Sequence, residues 1–539
     1  MLCRLVSIIV IYLTISTLYA QETPSNYFDL NHISEIRLKI AEKGWDALLD
    51  SLRIYNHGML VVDATIDGKA YKGVGLKYRG TKSYQTGMKR NPMSIQLNHT
   101  DKSVNHEGYT SVKLSSALRD PSMVREVLSY EIARKYMVAP KCNFTRLYIN
   151  DSYWGLYVNI EPVEEKFLET NFGSHTNLLY KCAPDVGVVK APASCKQNLY
   201  CALVNEPKEE CYTPFYDIES SNGTYQPLME LTQLLNKDAN NVHKVLDIDR
   251  TLWMLAYNNV LVNLSSYTGQ NSQNYFLYKD NNGKFVPIIW DLNLSFGSFK
   301  NTGKGSDLKL KELQQLDPLL HIQNNNKPLI SKLLQIEDYK KVYVAHLRAI
   351  VQENFQNNAY EKRAKELQKM IKPHFVADPN KDYSEDDFNK SLTSTIGKVT
   401  KIPGIVELMR ERTNFLKKSA ALVVLPPEVK KVDVMNRKKF ETDINSFMIT
   451  AMVDKKPKKV KICYRYNSTA PFMETWMADD GAHNDKREGD GLYGVVIKPE
   501  GSADMLEYYI VAENPAAISY YPSNYMYTPL KTTLAELNK

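Results

Sequence analysis

The chain has 539 residues, of which 43% are hydrophobic and 24% are charged, and its mean hydropathy is -0.39. These values describe a globular protein with room for two or three domains, and they exclude a disordered chain and a multi-span membrane protein. The net charge of +7 is small for this length. Composition therefore gives no sign of a nucleic-acid-binding protein, which usually carries a clustered basic surface.

The chain begins with the pattern of a secretory signal peptide. Basic Arg4 precedes an apolar stretch from Leu5 to Leu18, and the small residue Ala20 ends this segment. We therefore expect residues 1–20 to be removed and the mature protein to be secreted, periplasmic or at the cell surface. No later segment approaches the length of a transmembrane helix, so we expect no membrane span after cleavage.

Residues 30 to 160 are predicted to combine short strands with two helices. A hairpin is predicted to turn at Asp67-Gly68, Lys89 to Leu97 is predicted to contain a basic strand, and Asp120-Pro121-Ser122 is predicted to cap a helix. In chain order, the predicted elements are strand 35–41, helix 45–52, strands 59–66, 71–78 and 92–97, helix 120–137, and strands 144–149 and 153–160.

Four cysteines lie close together in an exported chain. Cys3 leaves with the signal peptide, and Cys182, Cys195, Cys201 and Cys211 fall in one weakly periodic stretch. This density predicts a surface insertion at 182–211 that is held by two disulfides. A zinc site is the alternative, although the irregular spacing and the lack of a C-x-x-C pair favour disulfides. The two remaining cysteines, Cys142 and Cys463, are expected to be free, buried thiols.

The second half is predicted to be helical around one hairpin and then to become all-β. The break falls at Leu425-Pro426-Pro427, and about 110 residues of short strands and turns then predict a small antiparallel sandwich. The predicted helices are 163–170, 226–235, 242–246, 250–262, 336–353, 360–371 and 405–416; the hairpin strands are 274–279 and 284–290; the late strands are 429–435, 446–453, 460–466, 493–497 and 505–512.

An Asp- and Gly-rich segment in the late strands is a candidate calcium site. It extends from Asp479 to Gly494 and is dense in oxygen ligands, but it lacks the terminal glutamate of an EF-hand and lies between strands. A structural turn is favoured, with calcium as the alternative. We expect the sandwich to act as a spacer or as a surface for a partner.

Two groups of residues suggest phosphate and metal chemistry. The first half has the order of a kinase N-lobe: a hairpin that ends at Arg79-Gly80-Thr81-Lys82-Ser83, a basic strand, a helix and two more strands. Asn274 begins the later hairpin and Asp291 follows it, so an amide oxygen and a carboxylate are placed to bind a hard cation. The alternatives are a solvated basic face and an Asp that caps a turn.

Together these residues resemble the CotH (spore coat protein H) kinase family over roughly residues 30 to 420. The most specific part is the stretch from Asn274-Tyr275 through Trp290-Asp291 to Phe296-Gly297. Further matching motifs are Gly75 to Ser83, Asp120 with Ser122 and Arg125, and Tyr148 to Tyr157 leading to Glu161.

The resemblance implies a secreted, atypical protein-kinase-like protein that uses ATP and Mg²⁺ or Mn²⁺, with Ca²⁺ as a further alternative, to phosphorylate protein Ser or Thr. It implies a role for each matching position: Arg79, Gly80 and Ser83 in a phosphate-covering turn, Lys89 as the phosphate-holding lysine, Glu126 as its helix partner, Glu161 beside the nucleotide, and Asn274 and Asp291 as metal ligands.

One position departs from the family pattern. Ser265 occupies the place where the family has the aspartate that accepts the substrate proton. A hydroxyl is a far weaker base than a carboxylate, and loss of a general base typically costs about 100- to 10,000-fold in rate. Two functions therefore stay open: a weakened Ser/Thr kinase, or a non-catalytic pseudokinase that binds nucleotide or acts as a cell-surface scaffold.

The expected fold class is α+β, an atypical two-lobed protein-kinase-like fold followed by an immunoglobulin- or fibronectin-like sandwich. The expected domains are the signal peptide at 1–20, the kinase-like domain at 21–423, and the sandwich at 424–539. Within the kinase-like domain, the N-lobe is expected at about 30–160 and the C-lobe at about 161–423. The expected partner is a protein substrate or a surface protein, not nucleic acid.

Overall fold

The computed structural model describes residues 27–537 except 56, 81–82, 187, 437–445, 469, 484, 486 and 501–502. The predicted signal peptide at 1–20 lies outside the described residues, as do Thr81 and Lys82 of the predicted phosphate-covering turn. The described residues mix helices and strands in both halves of the chain, which confirms the α+β prediction.

The first 130 or so described residues form a closed seven-stranded barrel. Its strand order is β1-β2-β3-β4-β5-β7-β6, and parallel pairing of β1 with β6 closes it. Alternating apolar side chains such as Val74 and Leu76 point inward and form its core. The elements are β1 Ser34–Lys39, α1 Trp45–Tyr55, β2 Leu60–Ile66, β3 Lys69–Tyr78, β4 Met93–Gln96, β5 Ser111–Ser115, α2 Arg125–Ala133, β6 Cys142–Ile149 and β7 Ser152–Ile160.

Two local predictions for this region need correction, and one strand was missed. The basic strand does not begin at Lys89: Lys89 and Arg90 form a turn, and pairing starts at Met93. The helix after Asp120 is shorter than predicted, because it begins at Arg125 and ends at Ala133. Strand β5 was not predicted, although Val112 and Leu114 alternate with polar neighbours and both are buried.

The middle of the chain is mainly helical and contains one four-stranded sheet of order β11-β10-β8-β9. Its large core extends from α2 to α12. The elements are α3 Glu165–Phe172, β8 Leu179–Cys182, β9 Asp217–Ile218, α4 Gln226–Lys237, α5 Ile248–Val260, β10 Tyr275–Lys279, β11 Phe285–Ile289, α6 Leu310–Gln314, α7 Pro328–Ser331, α8 Glu337–Ile350, α9 Ala359–Ala377, α10 Glu385–Lys390, α11 Ile405–Lys418 and α12 Ala420–Val423.

The last part of the chain contains two antiparallel sheets that share one buried cluster. One sheet has the order β12-β13-β16, and the other has the order β15-β14-β17-β18 with β19 also paired to β17. The elements are β12 Glu428–Asn436, β13 Phe447–Asp454, β14 Lys459–Arg465, β15 Met473–Trp476, β16 Leu492–Ile497, β17 Met505–Glu513, β18 Ile518–Tyr521, β19 Leu530–Thr533 and α13 Leu534–Leu537.

This part of the chain is attached to the helical region by polar and aromatic contacts. Lys341 of α8 forms an ion pair of 2.9 Å with Glu513. Buried His346 lies 2.9 Å from Asp249, and the Tyr525 hydroxyl donates a 2.5 Å hydrogen bond to the same carboxylate. These contacts tie β17 and the segment after β18 to α5 and α8.

The structure corrects the prediction of two disulfides in the insertion. Cys195 and Cys211 form a disulfide, whereas Cys182 and Cys201 are buried thiols. Cys142 and Cys463 are free and buried, as predicted. Within the described part of the chain, the helices are too short or too polar to cross a membrane.

Candidate functional site

A cleft of about 1110 Å³ lies between the barrel and the helical region. Strands β3, β4 and β5 supply one wall, and the segments around β8, β10 and β11 supply the other. The cleft brings together six residues that the sequence singled out, which are Arg79, Gly80, Ser83, Ser265, Asn274 and Asp291. Glu126 lies directly behind this wall, while Lys89 and Glu161 do not line the cleft.

Asp291 follows β11 at the point where this buried strand leaves the core. Its backbone adopts a φ of 53°, which is uncommon for a residue with a side chain. The backbone N–H of Asp291 donates a 3.0 Å hydrogen bond to the hydroxyl of Tyr130 in α2. Burial raises the pKa of the Asp291 carboxyl, and the positive charge of Arg79 opposes that rise. The helix and the strand end thus hold the carboxylate at the cleft wall.

Glu126 is a buried acid in the first turn of α2, one helical turn before Tyr130. Its side chain is 1% exposed, and neither carboxyl oxygen has a hydrogen-bond partner among the described residues. Burial, followed by the negative charge of Asp291, raises the pKa of Glu126 to about 8. Buried carboxyl oxygens without partners are costly, and such groups concentrate at functional sites. Glu126 and Asp291 therefore form a carboxyl pair, and the Ser115 side chain and the positive charge of Arg79 oppose the rise in the pKa of Glu126.

Asn274 and Ser265 contact each other across the same wall. The Asn274 side-chain amide donates hydrogen bonds to the Ser265 carbonyl at 2.8 Å and to its hydroxyl at 3.1 Å. Its backbone, at a φ of 64°, donates to the Cys182 carbonyl at 2.8 Å. Because the amide nitrogen is engaged, the amide oxygen is the atom of Asn274 available to a cation. Ser265 adjoins this group, as its place in the family pattern implied.

The oxygens at this wall fit a hard divalent cation. The unpartnered carboxyl of Glu126, the carboxyl of Asp291 and the amide oxygen of Asn274 are the ligand type that Mg²⁺ prefers. Mg²⁺ usually binds through one or two carboxylates and keeps water or substrate phosphate as its other ligands. Among the described residues no group of three or more His, Cys, Asp or Glu is placed to hold a metal ion. Glu126, Asp291 and Asn274 could therefore supply part of the ligand set of such a cation.

The lysines that line the cleft do not include the predicted phosphate-holding lysine, Lys89. Lys89 is exposed in its turn, where its carbonyl accepts a 3.0 Å hydrogen bond from Trp154. Lys113 of β5 lines the cleft instead, 3.3 Å from Glu164 and 3.2 Å from the Ser94 hydroxyl, and burial lowers its pKa. Sequence analysis missed Lys113 because it missed β5, although the alternation in that segment carried the signal.

Arg79 is the cation that acts on the carboxyl pair. Its positive charge lowers the pKa of both Asp291 and Glu126 against the effect of burial. Its guanidinium lies 5.6 Å from the centre of the Trp290 ring, a cation–π contact that directs it toward the strand end. Arg79 therefore lies beside the carboxyl pair, on the side of the predicted phosphate-covering turn.

The turn after Arg79 depends on glycine and is tied to the insertion. Gly80 has a φ of 86°, and a Cβ atom there would clash with the Ser83 hydroxyl. Arg53 of α1 donates a 3.0 Å hydrogen bond to the Gly80 carbonyl and pairs with Asp185 at 3.2 Å. The insertion thus contacts the helix that supports this turn.

The carboxylate of Glu161 forms hydrogen bonds within the protein and does not face the cleft. Its carboxylate accepts hydrogen bonds from the Tyr109 hydroxyl at 2.5 Å and from the Lys141 N–H at 2.8 Å. The residues directly after it, Pro162 to Glu164, line the cleft. Glu161 thus anchors the segment that crosses from the barrel to the helical region.

The buried side chain of Arg125 contacts several residues of the motifs that match the family. Arg125 donates hydrogen bonds to the carbonyls of Ser295 at 3.0 Å, Phe296 at 2.8 Å and Pro403 at 2.9 Å. Asp120 accepts the backbone N–H of Arg125 at 2.7 Å and so contacts the first residue of α2, although the N-cap residue is Val124. This network joins the helix that carries Glu126 to the loop that follows Asp291.

A buried lysine supports the loop of Ser265. Lys327 donates hydrogen bonds to the carbonyls of Tyr267, at 3.1 Å, and Gly269, and to the Ser272 hydroxyl at 2.5 Å. Burial lowers the pKa of Lys327 to about 7. No local sequence pattern signals this contact, because Lys327 lies far along the chain from the loop.

The Asp-rich segment in the late strands forms a hydrogen-bonded turn. Asp479 accepts hydrogen bonds from the N–H groups of Gly489 at 2.8 Å and Gly491 at 3.0 Å, and Asp480 accepts one from Ala482 at 2.9 Å. These bonds occupy the carboxylates in the way expected of a structural turn. Asn484 and Lys486 lie outside the described residues.

The fold and the cleft define a mixed α+β protein in which Arg79 faces the carboxyl groups of buried Glu126 and partly buried Asp291, an arrangement suited to a kinase-like protein. A family model described as "CotH kinase protein" matches residues 71–416. Since that match covers more than half of the chain, the protein belongs to the CotH kinase family.

Two further comparisons gave named matches. The chain is 23% identical over 321 residues to "Inner spore coat protein H" of Bacillus subtilis (strain 168), and the match covers 58% of this chain and 78% of that protein. A solved structure, "Twitchin kinase region from C.elegans (Fn31-NL-kin-CRD-Ig26)", matches with 10% identity and a TM-score of 0.18, covering 80% of this chain and 70% of the other. That score is too low to support an argument about fold.

Proposed function

We propose that the protein is an exported CotH-family kinase that binds ATP with Mg²⁺ or Mn²⁺ in the cleft and transfers the γ-phosphate weakly to protein Ser or Thr. The observation that carries this proposal is the Glu126–Asp291 carboxyl pair, which faces Arg79 and adjoins Asn274. The barrel and the helical region would act as two lobes with the nucleotide between them. Family membership supports the kinase-like assignment.

Each side chain would have a distinct task. Asp291, Asn274 and Glu126 would hold the cation, which when bound offsets the negative charge of the phosphates. Arg79 and Lys113 would bind phosphate oxygens, and Gly80 would let the turn approach them closely. This assignment moves the phosphate-holding role from exposed Lys89 to Lys113, which lines the cleft.

Ser265 limits the expected rate and supports a second candidate function. The Ser265 hydroxyl accepts a hydrogen bond from Asn274 but has no capacity to act as a base near neutral pH. A non-catalytic pseudokinase that binds nucleotide or serves as a cell-surface scaffold would need no base. In either function, the two late sheets would form a sandwich that acts as a spacer or engages a protein partner.

Thermal unfolding in the presence of nucleotide and metal tests nucleotide binding. A ligand that binds only the folded state raises the melting temperature, so ATP with Mg²⁺ or Mn²⁺ should raise Tm and ATP with EDTA should raise it less. Asp291→Asn should lose the metal-dependent increase, while the exposed control Asp338→Asn should retain it. Absence of any shift at millimolar nucleotide would favour the scaffold.

Transfer of labelled phosphate separates the two candidates. Purified mature protein should label itself or an added protein slowly with ATP and Mn²⁺, and Asp291→Asn should abolish the label. Transfer that persists in Asp291→Asn would refute the assignment of Asp291. Binding without any transfer would identify the protein as a nucleotide-binding pseudokinase.

A further inference from the structure

Two loops next to the carboxyl pair carry a dense group of lysines. The segment 298–311 follows directly on the motif that ends at Gly297, and the hairpin 396–402 is closed by pairing of Ile396 with Ile402. Together they contain six lysines and one acidic residue, Asp307. We call the six side chains the lysine surface: Lys300, Lys304, Lys309, Lys311, Lys398 and Lys401. The small net charge of the whole chain therefore conceals a local excess of positive charge.

The charges of the lysine surface are not neutralised within the protein. Lys300 is half-buried and the other five lysines are exposed. None of the six forms an ion pair among the described residues. Asp307 accepts a 3.2 Å hydrogen bond from the side-chain amide of Asn301 instead. A group of like charges without partners creates a field that attracts ligands of the opposite sign.

The first loop is fastened to the candidate site on two sides. Arg119, which lines the cleft, donates a 2.6 Å hydrogen bond to the Ser298 carbonyl, and the Ser298 hydroxyl donates a 2.8 Å bond to the Arg119 carbonyl. The Asn301 carbonyl accepts a 3.0 Å hydrogen bond from the N–H of Gln270, in the segment that follows Ser265. The loop therefore lies at the end of the cleft where Ser265 and Asp291 line the wall.

The second loop is held against the first. The Lys300 ammonium donates a 3.1 Å hydrogen bond to the Lys401 carbonyl. Arg125 donates hydrogen bonds to the carbonyls of Phe296 at 2.8 Å and Pro403 at 2.9 Å, so one guanidinium joins the ends of both loops. The two loops thus form one basic surface, which adjoins the carboxyl-pair end of the cleft.

The composition of this surface suits an acidic polypeptide better than a nucleic acid. Phe299, the aromatic residue of the two loops, packs against the protein core. The surface therefore offers no exposed ring on which a base could stack, the usual contact with single-stranded nucleic acid. Val399 is 96% exposed among the lysines of the hairpin and offers an apolar contact to a peptide.

We propose that the lysine surface docks a protein segment rich in Asp and Glu, and that the acceptor Ser or Thr lies in this segment. An acceptor must reach the γ-phosphate at the carboxyl-pair end of the cleft, and the lysine surface adjoins that end. The claim that the docked segment is the phosphate acceptor rests on the proposed function, whereas the docking itself does not.

Fluorescence anisotropy with two labelled peptides tests the docking without nucleotide. Both peptides carry one Ser, which is flanked by Asp and Glu in the first and by Asn and Gln in the second. An exposed ion pair typically contributes about 1.5- to 5-fold in affinity, so several pairs should make the acidic peptide bind about 10-fold more tightly. This preference should fall as salt is added, because salt screens exposed charges. Equal affinities at low salt would overturn the proposal.

Charge reversal locates the binding surface. One variant combines four substitutions in the lysine surface: Lys304→Glu, Lys309→Glu, Lys398→Glu and Lys401→Glu. The control makes the same change in net charge at four exposed lysines elsewhere: Lys417→Glu, Lys418→Glu, Lys456→Glu and Lys458→Glu. The first variant should lose the preference for the acidic peptide, and the control should keep it. An equal loss in both variants would overturn the docking site. A single-stranded DNA that binds the wild-type protein more tightly than the acidic peptide would overturn the assignment of the partner.

Two further measurements separate this proposal from the proposed function. None of the four substituted lysines of the lysine surface lines the cleft, so the variant should bind Mn²⁺ and ATP as the wild-type protein does. Failure of the wild-type protein to bind Mn²⁺ with ATP would contradict the proposed function, and anisotropy would still decide the docking. In labelled phosphate transfer, the variant should raise KM for the acidic peptide about 10-fold and leave kcat unchanged. Transfer that prefers the uncharged peptide would refute the claim that the docked segment is the acceptor.

Discussion

Replacing Glu126 with glutamine should make the protein more stable at alkaline pH. Glu126 is 1% exposed, and neither of its oxygens has a hydrogen-bond partner among the described residues. Its pKa is raised from 4.5 to about 8 in the folded protein by burial and by Asp291. Ionisation of Glu126 therefore opposes folding, and Glu126→Gln removes the charge while keeping the shape of the side chain.

The size of the effect follows from the two pKa values. They differ by about 3.5, and each pKa unit corresponds to about 1.4 kcal/mol. Because the pKa of Glu126 is raised in the folded protein, Glu126 does not destabilise the wild-type protein below pH 4.5. As the pH rises from 4.5 toward 8, its ionisation lowers the free energy of unfolding. We expect Glu126→Gln to gain about 3 to 5 kcal/mol over the wild-type protein between pH 5 and pH 8.

Urea unfolding followed by tryptophan fluorescence measures this difference. EDTA should be present throughout, so that no cation binds the carboxyl pair. Any packing cost of the glutamine is the same at every pH, so only the change between pH 5 and pH 8 is informative. The free energy of unfolding of the exposed control Glu42→Gln should change with pH in the same way as that of the wild-type protein. The same pH dependence for Glu126→Gln and the wild-type protein would refute the description of Glu126 as a buried acid paired with Asp291.

Three other substitutions test how the cleft is held and how it works. Arg125→Lys loses carbonyl contacts that one ammonium group does not reach, and it should lower the unfolding free energy by about 2 to 4 kcal/mol in urea unfolding, whereas the exposed control Arg410→Lys should change it little. Lys327→Met removes the donor to the buried Tyr267 carbonyl and the closer of two donors to the Gly269 carbonyl, and it should cost about 2 to 4 kcal/mol in the same assay; a neutral result would contradict its role in the Ser265 loop. Ser265→Asp restores a carboxylate beside Asn274, and it should raise labelled phosphate transfer by about 100-fold or more; an unchanged rate would mean that the missing base is not the limiting defect.

Local sequence signals predicted β3, β4, β10 and β11, which frame the cleft, but not β5 or β8. The hairpin of β10 and β11 follows from an apolar alternation around Asn281-Asn282-Gly283, and its ends place Asn274 and Asp291 together. The first hairpin, around Asp67-Gly68, was confirmed for the same reason. The alternation of apolar and polar residues and the turn residues depend on only a few neighbouring positions, so a single sequence is enough to detect them.

The remaining features depend on contacts between distant segments. The position of Glu126 in a predicted helix made it a candidate site residue. Its proximity to Asp291 arises from the packing of α2 against the end of β11. Lys327 reaches the Ser265 loop from another part of the helical region. The pairing of Cys195 with Cys211 was also not predictable from the sequence, since four cysteines allow three pairings. Sequence patterns carry no distance information of this kind.

Calorimetric titration with Mn²⁺ and a non-hydrolysable ATP analogue tests the central claim most directly. The wild-type protein should show one binding event that requires both components, and Asp291→Asn should abolish it while Asp338→Asn keeps it. Binding of equal strength in Asp291→Asn, or no binding by the wild-type protein, would contradict the account of the cleft as a metal–nucleotide site.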